Sequence, residues 1–254
     1  MPIPSNSDFI NSRIQINSSW PEKIARWIAN GNNTSISAIG AAALTVTGTA
    51  TATSVVGTTF YNSIRKIEAL VTVAATTAVA GYRNTVAQRF YGGVAAGSGG
   101  FYHRSIGGPA TGVATTTHRF FMGLANSTTA PTDVEPSSIT NILGIGYDAA
   151  DTNVQFMYRG AGAVTKVDLG GSFAVPTTDR STIYQLVMSC KPGTTQALDW
   201  HVTNITSGAT ASGSITTGGP STTTTLAERI WASVGGTSSV IGIAFSDIET
   251  SSNW

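Results

Sequence analysis

Residues 183–216 read IYQLVMSCKPGTTQALDWHVTNITSGATASGSIT, and this stretch decides the fold class. Residues 183–190 (IYQLVMSC) form a short, strongly apolar run of strand length, the pattern of a central strand. Lys191-Pro192-Gly193 turns the chain. Residues 197–205 (ALDWHVTNI) alternate apolar and polar side chains, the period of a strand with one buried face. Thr206-Ser207-Gly208 turns it back, and residues 211–216 follow as a further strand. Successive strands joined by hairpin-length loops, with no helical period between them, argue for antiparallel sheets packed face to face.

The same pattern extends outward over residues 63–254. Residues 67–73 (IEALVTV) and 117–124 (THRFFMGL) read as strands. Residues 141–147 and 152–158 flank Asp148-Ala149-Ala150-Asp151, a hairpin turn by its chemistry. Residues 240–248 (VIGIAFSDI) read as the closing strand. The expectation for 63–254 is a jelly-roll-like antiparallel β-sandwich, and the chain as a whole is all-β.

Two N-terminal zones look different. Residues 1–31 carry a helix signal: Ser19 and Glu22 make a capping box, and Pro21 suits the first turn. Trp20, Ile24, Trp27 and Ile28 then form one apolar stripe, with Gly31 as the stop. So short a helix needs a surface to bury that stripe, either its own β domain or another molecule. Residues 32–62 are rich in Thr, Ala and Gly. Residues 44–47 and 49–53 alternate with period two, and Gly40, Gly48 and Gly57 punctuate them. Strands of this kind bury only a thin seam. They suit a shaft in which three copies wrap a common axis, or a linker of low complexity.

Composition limits the chemistry. The chain has 254 residues, a net charge of +1 and 11% charged residues. Its 14 Lys and Arg are scattered, so nucleic acid is not an expected partner. No run is long and apolar enough to span a membrane. The N-terminus lacks the pattern of a secretory signal. Cys190 is the single cysteine and reads as a buried strand residue.

His103, His118 and His201 match no metal spacing. Residues 92–100 resemble a phosphate loop but lack the Lys-Ser/Thr that follows one, and read as a loop. Asp148 and Asp151 are the closest carboxylates; their turn explains them, with calcium as the alternative. Trp200, Trp231, Trp254, Tyr147, Tyr158 and Tyr184 suit stacking on sugars only where exposed, and Trp200 and Tyr184 read as core. No catalytic set, cofactor site or metal site is expected.

Several segments together resemble tailed-bacteriophage fibre proteins. They are residues 99–104 (GGFYHR), 108–114 (GPATGVA), 119–124 (RFFMGL), 131–138 (PTDVEPSS), 144–153 (GIGYDAADTN) and 200–208 (WHVTNITSG). The resemblance covers roughly residues 63–253, and it lies in the order and spacing of these segments. It implies a lectin-like sandwich at the tip of a short homotrimeric virion fibre that meets a host-surface carbohydrate. Residues 1–31 then become a docking arm for other virion proteins or a trimer contact, with Trp20, Ile24, Trp27 and Ile28 as the anchor. On that reading, removal of the arm leaves the knob folded. A head or collar protein without a receptor, and a glycan-cleaving spike, are the rival readings.

Overall fold

The computed structural model describes residues 23–90, 93, 95 and 98–252. Its strands run in order as β1 (Lys23–Ala29), β2 (Ile36–Ile39), β3 (Thr45–Thr47), β4 (Thr49–Ala52), β5 (Ile67–Ala75) and β6 (Val79–Arg83). Then come β7 (Arg89–Phe90), β8 (Phe101–Thr111), β9 (Arg119–Ala125), β10 (Ile142–Tyr147), β11 (Gln155–Arg159) and β12 (Thr165–Asp168). The last are β13 (Tyr184–Cys190), β14 (Leu198–Asn204), β15 (Thr210–Ile215), β16 (Thr225–Ser233) and β17 (Ser239–Ser252). One helical turn, α1 (Phe60–Ser63), precedes β5 and is capped by Thr59, whose Oγ1 accepts from the Asn62 amide at 3.2 Å.

Two antiparallel sheets face each other. Sheet A runs β15-β14-β13-β8-β17-β1-β2, with β5 also on β17 and β4 on β5. Sheet B runs β12-β11-β10-β9-β16-β6-β3, with β7 also on β16. The hairpin series read from residues 183–216 is β13-β14-β15, in register from Tyr184↔Asn204 and Leu198↔Ile215.

The long β17 organises sheet A. One flank pairs with β8 from Gly242 to Ser252. The other flank is shared: residues 239–245 meet β5 and residues 247–252 meet β1. Ser246 falls at the changeover, where the register with β8 also slips, and its hydroxyl donates to the Arg65 carbonyl at 2.7 Å.

The core lies between the sheets. Trp200 of sheet A stacks on Phe156 of sheet B with centroids 4.4 Å apart and planes 7° apart. Phe245 meets Tyr82, and Tyr184 meets Phe120, across the same gap. Such pairs contribute about 0.5–1.5 kcal/mol each beyond their burial. Gly213 makes room for the Trp200 ring, since a Cβ there would lie 2.6 Å from it. Tyr184, Trp200 and Cys190 are buried, as their strands predicted. Burial pushes the Cys190 thiol up to about 12, so it stays protonated and inert.

A second apolar cluster lies on the outer face of sheet B: Phe121, Ala125, Ile142, Met157 and Trp231. The segment 126–141 folds over it as a strap. Arginines from the sheet hold the strap down. Arg83 Nε donates to Thr128 O, Arg159 Nη1 to Ser137 O and Ser138 O, and Arg229 to Ser127 O and Thr129 O. Arg119 pairs with Asp133 at 3.1 Å and Glu135 at 2.9 Å. Trp231 is therefore buried, although it points away from the main core.

The N-terminal expectations need correction. Residues 23–29 are a strand, not a helix, and form β1 beside the C-terminal half of β17. With period two, Ala25, Trp27 and Ala29 turn inward, while Ile24, Arg26 and Ile28 turn outward. Trp27 is 0% exposed, and its indole N–H donates to Ala42 O at 2.7 Å. Ile24 is 44% exposed and Ile28 half-buried. The helical stripe thus does not exist as one face; Trp20 and the capping box lie outside the described residues. Backbone pairing with β17 outweighs the local helical preference.

Residues 32–62 are not a separate shaft or linker either. They supply β2, β3, β4 and α1. The alternating run 44–53 is one extended segment that changes sheet at Gly48. Thr45–Thr47 pairs with β6 in sheet B and Thr49–Ala52 with β5 in sheet A. Gly48 takes φ +84°, and a Cβ there would lie 2.8 Å from Leu70 O, so a glycine is required at the corner. Among the described residues, 23–31 and 32–62 belong to the same sandwich as residues 63–252.

Trp27→Ala should therefore lower the stability of the whole chain by about 3–5 kcal/mol in urea unfolding. Ile24→Ala should change it by less than about 1 kcal/mol. A small effect at Trp27 would restore the detachable-arm reading.

Candidate functional site

Three loops at one end of the sandwich enclose a cleft of about 400 Å³. The β8–β9 loop supplies Val113, Ala114, Thr115, Thr116 and His118. The β10–β11 turn supplies Asp148, Ala149, Asp151 and Thr152, and the segment before β13 supplies Val175, Pro176 and Thr177.

Each wall is fixed by local hydrogen bonds. The β8–β9 loop makes two successive turns, with Thr115 N bonded to Gly112 O and His118 N to Thr115 O. Thr117 Oγ1 ties it to Val234 O and Thr237 Oγ1. Gly235, at φ +65°, lies where a Cβ would meet Thr117 O at 2.2 Å, so only glycine lets these two loops touch. The 148–151 turn closes with Asp151 N to Asp148 O at 3.1 Å, and Asp151 Oδ2 accepts from Asp148 N at 2.8 Å. This is the local capping that the sequence assigned to these aspartates. The third wall hangs on Val175 N to Thr152 O at 3.0 Å.

The two aspartates also share a cation of the protein's own. Lys166 Nζ lies 2.9 Å from Asp148 Oδ2 and 2.6 Å from Asp151 Oδ1. Burial raises the Asp148 carboxyl, but bonds from Ser137 and from Lys166 outweigh it and hold the group below its usual value. Burial likewise opposes the charge of Lys166, and its bonds to Asp151 and Asp148 outweigh that and hold it above its usual value. The ammonium stands between the two carboxylates to which the calcium alternative assigns an ion, and it offsets one of their two charges. The strap braces this corner: Glu135 Oε2 accepts from Ala149 N at 3.0 Å, and Asp148 Oδ1 from Ser137 N at 3.1 Å.

His118 lines the cleft from within and is 3% exposed. Its Nδ1 is 2.8 Å from the hydroxyl of wholly buried Tyr147, and its buried Nε2 has no partner among the described residues. Burial pulls its pKa down to about 3, so the ring is neutral. The cleft therefore presents threonine hydroxyls above a neutral imidazole, beside an acid pair that shares one ammonium. It suits hydrogen bonding to hydroxyl groups better than proton transfer.

Other sequence candidates fall elsewhere. His103 and His201 are on β8 and β14, far along the chain from the cleft loops, and His103 is buried beside Ser105. No group of three potential metal ligands occurs among the described residues. Ile24, Trp27 and Ile28 belong to β1, and Trp254 is outside the described residues. Tyr147 and Trp200 are core, so the sugar-stacking aromatics considered from sequence do not line the cleft. Sequence reading set His118 aside with the other histidines and did not single out Lys166 or the threonines of 115–116, 152 and 177. Only folding brings them together, and none carries a motif.

No protein-family model and no curated protein matches the chain. Solved structures do. A protein of unknown function from Shewanella oneidensis MR-1 aligns at TM-score 0.54 and 14% identity, over 99% of this chain and 95% of that one. Peanut lectin, solved with a 9mer peptide, aligns at 0.52 and 14%, over 91% and 97%. Arcelin-5, a lectin-like defence protein from Phaseolus vulgaris, aligns at 0.54 and 7%, over 91% and 98%. At these identities the likeness is one of fold: the chain is a lectin-like, two-sheet antiparallel β-sandwich.

Proposed function

We propose that this chain is a carbohydrate-binding module, and that its cleft between residues 113–118, 148–152 and 175–177 receives the sugar. The observation that carries the reading is the cleft lined on its three walls by Thr115, Thr116, Thr152 and Thr177, over the buried, neutral His118 ring. A saccharide hydroxyl both donates and accepts, so it pairs with threonine hydroxyls without a change of charge. Asp148 and Asp151 are both bound to the one Lys166 ammonium, which engages the two carboxylates and favours binding over glycan cleavage. Cleavage needs one carboxyl free to protonate and another free to attack or to activate water.

The setting is a virion fibre. That part rests on the resemblance of residues 63–253 to bacteriophage fibre proteins, with three copies giving avidity to a weak single site. Virion proteins and sister copies are the partners on this reading, and the exposed Ile24 and half-buried Ile28 remain available on the outer face of β1 for such a contact.

A glycan array probed with the full chain should give ligands whose binding survives chelation of divalent cations. Thr152→Val and Thr177→Val, both at exposed positions, should each weaken the best ligand about fivefold in calorimetry, the loss of one hydrogen bond. No retained glycan, or two silent variants, would sink the reading.

The pH dependence has a defined sign. His118 is neutral in the fold to about 3 but takes a proton near 6.5 when unfolded. Its contribution is full above pH 6.5, and stability falls below that by about 1.4 kcal/mol per pH unit. Asp148 adds a further loss only below its ordinary 3.8, as pH falls through its lowered value. Lys166 contributes below 10.5 and loses its contribution as pH rises through its raised value. Urea unfolding from pH 4 to 7 should show the histidine slope, and His118→Gln should flatten it. An unchanged slope in that variant would remove His118 as its source.

A further inference from the structure

A second polar feature lies on the outer face of sheet B, away from the cleft. Arg83 on β6 and Arg229 on β16 are direct cross-strand partners, so they share one face. Arg26, Arg104, Arg119 and Arg180 each sit against an acid. Among the described residues, the acceptors of Arg83 and Arg229 are neutral. Arg83 donates to Thr128 O at 3.2 Å and Thr47 Oγ1 at 3.1 Å. Arg229 donates to Ser127 O and Thr129 O, both at 3.2 Å.

Arg229 is 3% exposed, and its Nε has no acceptor. Burial, and then the charge of Arg83, pull its pKa down to about 10. Two like charges held side by side, one of them buried and incompletely bonded, are unfavourable unless a counter-charge joins them. Arg83 is half-buried, so the pair is open to solvent on its side. Its surroundings are hydroxylated: Thr45 and Thr129 are exposed, and Thr47 and Thr128 half-buried.

We propose that the Arg83–Arg229 pair is an oxyanion site that receives the carboxylate or sulfate group of an acidic saccharide. Arg229 is closed off by the strap, so the anion meets the open side of the Arg83 guanidinium with the Arg229 charge behind it, and the flanking threonines suit the hydroxyls of the sugar that carries it. The site goes beyond the cleft: the strap reaches the arginines with residues 127–129 and the cleft with residues 135–137. The saccharide half of the proposal rests on the carbohydrate reading above; the oxyanion half does not.

Calorimetric titration of the full chain with sodium sulfate, at ionic strength fixed with sodium chloride, tests it. Wild type should bind saturably, and Arg83→Gln about tenfold more weakly. Arg83→Lys, which keeps the charge but loses the fork, should fall between them. Comparison of variants is needed because sulfate stabilises folded proteins generally by exclusion. A second arm compares a glucuronate-bearing or sulfated oligosaccharide with its neutral parent. Preference for the acidic form that disappears in Arg83→Gln supports the whole proposal. Saturable sulfate binding with no saccharide binding upholds the oxyanion site and overturns the carbohydrate reading. Absence of saturable sulfate binding in wild type, or equal affinity in Arg83→Gln, overturns the site.

Discussion

Backbone pairing along β17 is the constraint on which the rest of the sandwich depends. One flank pairs with β8 along its length, with two shifts of register, while the other is divided between β5 and β1. A strand shared in this way ties residues 23–28 to residues 247–252. The chain between β1 and β5 must therefore travel within the sandwich and not away from it. It lays β2 on the edge of β1, crosses to sheet B as β3, and returns to sheet A as β4. The small side chains of this stretch suit that path. Threonine and alanine bury little, so they fit sheet edges and a corner, where a large apolar side chain would be left in water.

The few charges of the chain are used to tie its own elements together. Asp247 on β17 accepts from Arg26 on β1 and Arg104 on β8, which cross-links three neighbouring strands on one face. Glu68 is buried and takes bonds from Arg180 and the Tyr61 hydroxyl, which locks α1 and the segment before β13 against β5. Asp133 accepts from the Gly235 and Gly236 amides and pairs with Arg119, which joins the strap to the end of β16. Partly buried pairs of this kind are costly to break from one side, because the remaining charge is stranded. They fix the positions of loops that apolar packing alone leaves free.

Fold class was legible because periodicity survives in any antiparallel sheet. The β13–β14–β15 hairpins, the Asp148–Asp151 turn and the buried Cys190, Tyr184 and Trp200 follow from alternation and turn chemistry. The N-terminus misled because Trp20, Ile24, Trp27 and Ile28 satisfy a helical period, while Ala25, Trp27 and Ala29 satisfy a strand period equally well. Nothing local chooses between them; the unpaired flank of β17 does. The cleft was only half legible. Its aspartates stand in a recognisable turn, but Lys166 is fifteen residues beyond Asp151, and His118 reaches the same place from another hairpin. Cross-strand register supplies that juxtaposition, and a single sequence carries no signal for it.

The likeness to peanut lectin and arcelin-5 at 14% and 7% identity has the same origin. Two sheets with inward alternation can be written in many alphabets, so chains with little sequence in common reach one sandwich. For that reason the fold does not by itself assign a ligand. The carbohydrate reading stands on what the loops present: threonine hydroxyls on three walls, over a buried imidazole and two carboxylates that share one internal ammonium. Lys166 is the internal cation of this corner, shared by Asp148 and Asp151. Its position on β12, next to β11 and facing the 148–151 turn, is fixed by the ladder that pairs Met157 with Lys166.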